Sequence, residues 1–189
     1  MGTDSIARNN MLRYMKKTWT YLVNKLNAID LLGYNKVADN TFPNIVSMTA
    51  GKFLNELSWN ESLKTATMDN FNFIWNNYSS KGDHGMRFGR FRETYVVKLE
   101  ERLPFMLIVF PSWFITKYPE VYRNLRINAR RLTTPFDIFA TLEHILDFNG
   151  IEKKQVTKQR SMSLLHEIPE NRTCDEAGDN YPNWSCFCI

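Results

Sequence analysis

The stretch Gly82–Phe110, GDHGMRFGRFRETYVVKLEERLPFMLIVF, sets a carboxylate and an imidazole side by side upstream of a strongly apolar run. Asp83 and His84 are adjacent, so they serve one ion only where the backbone turns sharply, and Gly82 and Gly85 supply that freedom. A carboxylate with one imidazole suits Zn²⁺ or Mn²⁺, and also Mg²⁺ or Ca²⁺. Asp-His-Gly by itself equally describes a polar turn before a strand. After it, residues 94–97 and then 103–110 read as strands, the second closed by Pro111. A nearly continuous apolar run predicts a strand covered on both faces, as in the parallel sheet of an α/β fold.

Upstream, Asn35–Lys52 places the hydroxyl of Thr41 two positions before Pro43, followed by the small residues Ser47, Thr49, Ala50 and Gly51. A helix beginning near Pro43 aims its first backbone N–H groups at whatever sits beside Thr41, an anion cradle next to a nucleophile. Thr41 as the simple N-cap of that helix is the other reading. A further helix is expected around Phe71, Ile74 and Trp75. At the start of the chain, Met11, Tyr14, Met15, Trp19, Leu22 and Leu26 recur at helical spacing, with Ser5 or Asn9 as cap and Gly33 ending the pattern.

Downstream, residues 113–132 read as polar and surface-like. From Pro135 the chain gives a clean helix with Phe136, Phe139, Leu142, Ile145 and Leu146 on one face and Gly150 beyond its end. From Glu152 the chain turns polar and loop-rich. The reading therefore divides it into residues 1–151, an α/β core, and residues 152–189, a polar tail holding all three cysteines, Cys174, Cys186 and Cys188.

Composition sets the outer limits. With 189 residues, 43% of them hydrophobic, the chain has enough apolar material for one ordinary core. Its net charge of +4, from 24 basic and 20 acidic residues without a long run, gives no reason to expect nucleic acid or a membrane surface. No apolar stretch approaches the roughly 20 residues of a membrane span, and no hydrophobic leader follows Met1. Terminal cysteines and the acceptor pattern Asn-x-Ser/Thr at Asn60, Asn77, Asn171 and Asn183 point instead to descent from secreted glycoproteins. An odd cysteine count leaves the disulfide pairing open.

Taken in order, the motifs are Gly2-x-Asp4-Ser5, Asn35-Lys-Val-x-Asp-Asn-Thr-Phe-Pro-Asn44 and Asp83-His-Gly-x-Arg-Phe-Gly89, then Leu99-Glu-Glu-Arg-x-Pro104, Arg131-Leu-Thr-Thr-Pro-Phe-Asp137 and Asn171-Arg-Thr-Cys-Asp-Glu-Ala-Gly178. Together they resemble the alkaline-phosphatase superfamily, its sulfatase-like hydrolases, and more narrowly an animal family of secreted sulfatase-like proteins of unassigned substrate. The resemblance spans nearly the whole chain. It implies a partial alkaline-phosphatase-like core, a mainly parallel sheet covered by helices on both faces. It makes Thr41 the counterpart of the nucleophile, and Asp4, Asp83 and His84 ligands of a divalent metal ion, Zn²⁺, Ca²⁺, Mg²⁺ or Mn²⁺. The implied partner is an anionic ester, and the implied location extracellular. Sulfatases proper carry a modified cysteine or serine where Thr41 stands, so a phosphate ester suits the resemblance as well as a sulfate ester.

The same resemblance implies a loss. In the superfamily a region on the order of half a domain separates the nucleophile from Asp-His-Gly, whereas here Gly82 runs directly into Asp83. Gly82/Asp83 therefore reads as a deletion or exon-skipping junction, in a chain expected to lack the first strand and to stop early at Ile189. The functional expectation is a metal-dependent phosphate or sulfate ester hydrolase domain impaired by truncation. The alternative is a non-catalytic remnant or binding protein, because no second Asp/His cluster remains and His144 and His166 stand alone in the sequence.

Overall fold

A computed structural model describes residues 6–57, 74, 103–148, 150 and 160–178. Six helices occur among them: α1 (Arg8–Tyr14), α2 (Lys16–Leu26), α3 (Thr41–Ala50), α4 (Ser112–Lys117), α5 (Pro119–Asn128) and α6 (Pro135–Leu146). Between them β1 (Ile29–Asp30) pairs with β2 (Leu107–Ile108), and Leu54–Glu56 forms one 3-10 turn. The pairing is antiparallel, Ile29 opposite Ile108 and Asp30 opposite Leu107. The chain is thus mixed, helices around a small antiparallel ladder. One parallel contact, the bridge between Tyr34 and Thr133, joins the segment before α3 to the segment before α6. The wider parallel sheet expected from sequence is not among the described residues, and neither is the strand at 94–97.

The local sequence accounts for most helix ends. Pro119 and Pro135 open α5 and α6, where the missing N–H costs nothing. At α6 the Thr134 N–H donates to the Asp137 carboxylate three residues on (2.8 Å), one arm of a capping box. Gly51 closes α3 in the left-handed conformation (φ 66°). The opening helix differs from expectation. It breaks at Met15, which caps α1 and starts α2, and it ends at Asn27 (φ 50°), well before Gly33. Asparagine tolerates the left-handed region better than most residues, so the chain stops there. Of the expected apolar stripe only Met11 is fully buried.

The apolar run at 103–110 also packs more loosely than a doubly covered strand. Leu107 and Ile108 are half-buried and Val109 is exposed, because a two-stranded ladder covers each face only in part. The expected helix around Phe71–Trp75 lies outside the described residues except for Ile74, which is buried.

The main core gathers Ile29, Leu31 and Tyr34 with Phe114, Val121 and Leu125, and with Met162, Leu164, Leu165 and Ile168. The last four come from the polar stretch beyond Glu152. This stretch is indeed coil over 160–178, but its apolar residues are buried. Its backbone polar groups go to side chains on the helices, as buried groups must. On α5 the buried face reads Val121, Asn124, Leu125, Asn128, an apolar stripe with two asparagines in it. Asn124 donates to Leu165 O (2.9 Å). Asn128 donates to Leu164 O (3.0 Å) and His166 O (2.6 Å) and accepts from Ile168 N (2.8 Å). From α6, Thr141 Oγ1 accepts the Leu164 N–H (2.8 Å).

Helix α3 lies against α6, with the Phe139 ring stacked onto Gly51, and against the 3-10 turn. The buried hydroxyls of Ser47 and Thr49 donate to carbonyls four residues back, so small polar residues sit in this contact without loss. Arg160 ties the coil to the same corner: its guanidinium lies over the rings of Phe53 and Phe136 (4.8 and 4.4 Å) and forks onto Glu56 (2.7 and 2.9 Å). That fork holds the Glu56 carboxyl below the usual glutamate range.

Gly33 makes the closest backbone approach. A Cβ there would stand 2.2 Å from Arg131 O, between the bonds Leu32 N to Ala129 O and Thr133 N to Gly33 O. Gly33→Ala is expected to push these two segments apart and cost about 1–3 kcal/mol, read as a lower urea midpoint with unchanged slope. An unchanged midpoint would show that the contact relaxes freely.

Candidate functional site

Thr41 is the first residue of α3, and Asn40 holds the N-cap position with extended backbone (φ −108°, ψ 155°). Thr41 is therefore not the cap. It sits one step inside, at the positive end of the helix. Asn44, three residues on, organises the approach to it. Its Oδ1 accepts from Val37 N (2.9 Å) and Ala38 N (3.2 Å), and its Nδ2 donates to Ala38 O (2.5 Å) and Asn40 O (2.7 Å). The loop Val37–Asn40 is thereby pinned onto the first turn of the helix it precedes. Lys36, buried beside it, pairs with Asp39 (3.3 Å).

The segment before this loop is fixed from the other side. Asn35 N donates to Thr133 O (2.8 Å), and Tyr34 is buried at the bridge to Thr133. Burial pushes the Tyr34 hydroxyl far above its ordinary value, and the Asp137 carboxylate adds to that. Asp137 is fully buried and takes a two-pronged ion pair from Arg172 (2.8 and 3.0 Å), together with the N–H groups of Thr134 and Met162 (2.8 Å each). Arg172 also donates to Leu132 O (3.2 Å) and Arg160 O (2.6 Å). Burial raises the Asp137 carboxyl, while Arg172 and the two backbone donors pull it back.

Of the four site residues expected from sequence, the structure describes Thr41. Asp4, Asp83 and His84 lie outside the described residues. Among the described residues no group of three or more His, Cys, Asp and Glu side chains is placed to hold a metal ion. His144 and His166, isolated in sequence, stack on each other (4.9 Å between rings), and His144 Nδ1 meets Ser163 Oγ at 2.9 Å. Cys174 is disulfide-bonded, its partner lying outside the described residues. No described helix is long and apolar enough to cross a membrane.

The clamps around Thr41 and Asp137 escaped the sequence reading, although both left traces. Asn44 belongs to the Thr-Phe-Pro-Asn motif, and Thr134-x-x-Asp137 has capping-box spacing. Arg172 belongs to the motif Asn171–Gly178, but nothing in that run of neighbours names its partner Asp137, 35 positions away.

A helix-rich mixed α/β domain with a threonine at the head of a largely buried helix is the class of protein that fold and geometry define. A family model described as "Protein of unknown function (DUF229)" matches residues 1–82 and, separately, residues 81–189. The chain belongs to this DUF229 family. No curated protein and no solved structure matches it.

Proposed function

We propose that the chain carries part of a metal-dependent phosphate or sulfate ester hydrolase of the sulfatase-like kind, with Thr41 as nucleophile, impaired by an internal deletion at Gly82/Asp83. The observation that carries the reading is Thr41 at the first residue of α3, its loop bound at four points by Asn44. With the backbone before it so held, Thr41 stands at a helix end that favours the negative charge developing on an ester. The donor set of Asp4, Asp83 and His84, two carboxylates and an imidazole, suits a hard or borderline divalent ion by its chemistry. Such an ion would lower the pKa of the threonine hydroxyl and offset the charge of the ester. Thr41 Oγ1 then attacks phosphorus or sulfur, the alcohol departs with the proton, and water releases the anion.

The family match supports the deletion, since it comes in two pieces that meet at residues 81–82, beside the junction read from sequence. The disulfide at Cys174 supports an oxidising, secretory setting. Purified chain given Zn²⁺, Mn²⁺, Mg²⁺ or Ca²⁺ in turn is expected to hydrolyse aryl phosphate or aryl sulfate slowly. Thr41→Ala should remove that turnover, by roughly a thousandfold or to background. No turnover with any ion leaves the second reading, a non-catalytic remnant that keeps the family fold, and turnover that survives Thr41→Ala removes the nucleophile from the account. The transcript around the codons for Gly82 and Asp83 tests the deletion separately.

A further inference from the structure

Of the acceptor patterns Asn-x-Ser/Thr, the structure describes Asn171-Arg172-Thr173, while those at Asn60, Asn77 and Asn183 lie outside the described residues. Its three residues face opposite ways. Asn171 and Thr173 are exposed, whereas Arg172 is buried and its guanidinium runs inward to Asp137 (2.8 and 3.0 Å). Asn171 sits in a turn in which Arg172 N donates to Pro169 O (3.4 Å), next to Glu170, whose side chain is 83% exposed while it meets Arg131 (3.1 Å). The Asn171 amide makes no hydrogen bond among the described residues, so a bulky group attached to it would enter solvent and break no hydrogen bond there. Thr173 is held more firmly. Its N–H donates to Glu176 Oε2 (2.9 Å) and its Oγ1 accepts from Glu176 N (3.2 Å), a reciprocal clamp immediately before the disulfide-bonded Cys174.

We propose that Asn171 is an N-glycosylation site, filled before this segment folds and closed to the transferase afterwards. An enzyme that reads Asn-x-Thr has to hold the asparagine amide and the threonine hydroxyl at once, so the three residues must bend to its shape. In the folded chain Arg172 is anchored in the core and Thr173 Oγ1 is engaged by Glu176. The exposed asparagine can therefore carry a sugar but cannot be presented to receive one. The first restraint is the stronger, a buried charge pair against an exposed hydrogen bond. The donor is an oligosaccharide linked to a lipid diphosphate. Asn171 Nδ2 forms a bond to C1 of its first sugar, the bond from C1 to the diphosphate oxygen breaks, and the amide proton passes to a base of the transferase. The disulfide at Cys174 supports the oxidising compartment in which such a donor is met. Glycosylation needs that compartment but no chemistry at Thr41, so its failure and that of the hydrolase reading are separable.

The site is tested on the full chain directed into the secretory pathway by a cleavable leader. Glycans are released enzymatically in heavy-oxygen water, which turns each glycosylated asparagine into a labelled aspartate, and trypsin then delivers position 171 on the peptide 161–172. Mass spectrometry is expected to find the label there, to lose it with Thr173→Ala and to find less of it with Thr173→Ser. A wild-type chain without label at position 171 would remove the site. For the order of events, wild-type chain made without glycosylation, oxidised and shown to unfold cooperatively in urea, is mixed with purified transferase and the lipid-linked donor. It should gain no glycan at Asn171. The Arg172→Met chain, and the Asp137→Asn chain should the first precipitate, lacks the anchor and should gain it under the same conditions. A glycan on the folded wild type, or none on either loosened chain, would overturn the order proposed.

Discussion

Arg172→Met is expected to cost about 3–5 kcal/mol and, in a domain whose whole stability is of order 5–15 kcal/mol, to abolish or nearly abolish cooperative unfolding. The reason lies in what remains rather than in what is removed. Asp137 is 0% exposed, and without the guanidinium its carboxylate keeps only the N–H groups of Thr134 and Met162 and the Thr134 hydroxyl against the full penalty of burial. Leu132 O and Arg160 O lose a donor at the same time. Burial already pushes the Asp137 carboxyl up with the pair intact, so the variant should take up a proton on folding and regain some stability in mild acid. The sign follows from linkage: a carboxyl whose folded pKa lies above its unfolded one favours the folded state as pH falls. Asp137→Asn in the Arg172→Met background removes the stranded charge and should recover part of the loss. Urea unfolding of the two single variants and the double variant measures this. A single variant within 0.5 kcal/mol of wild type, at about the limit for a surface change, would show that the pair does not hold the coil.

The second large effect is expected at Asn128. Asn128→Ala strips the partner from three backbone groups at once, Leu164 O, His166 O and Ile168 N, all facing a side chain that is itself fully buried. At about 1–3 kcal/mol for each stranded group, and with water entering to satisfy part of the need, the loss should reach about 3–5 kcal/mol. Asn124→Ala, which breaks the single bond to Leu165 O, should cost about 1 kcal/mol. Asn128→Asp is the sharper control. It keeps the size but sets acceptors against the carbonyls of Leu164 and His166, so it should be no better than alanine at neutral pH. Amide exchange at Ile168 is expected to be slow in the wild type and to approach the rate of an open loop in both Asn128 variants. Should Asn128→Ala cost no more than Asn124→Ala, the asparagine is a space-filler and the coil is anchored elsewhere.

The sequence by itself determined those features whose causes are local. The start of α6 at Pro135 is written in Thr134-Pro-x-Asp137, whereas of its expected apolar face Phe136 is fully buried, Phe139, Leu142 and Ile145 are half-buried and Leu146 is exposed. Thr41 belonged to the head of α3 because Pro43 suits only a first turn, although its place one step inside Asn40 took the backbone angles to decide. Family membership was legible for the same reason: motifs are runs of neighbours, and six of them stand in order.

Only the tertiary structure decided what depends on partners far along the chain. Ile29–Asp30 is too short to read as a strand, and it becomes one because Leu107–Ile108 supplies the other half of the ladder. Residues 160–178 look polar and loop-rich by composition. Their coil enters the core because Asn124, Asn128, Asp137 and Thr141 on two helices satisfy its backbone, which lets Leu164, Leu165 and Ile168 be buried without helix or strand. Periodicity records how a segment repeats, and a coil does not repeat. Its burial is paid in hydrogen bonds to side chains some 20 to 40 positions away, and no window of neighbouring residues contains both ends of such a bond.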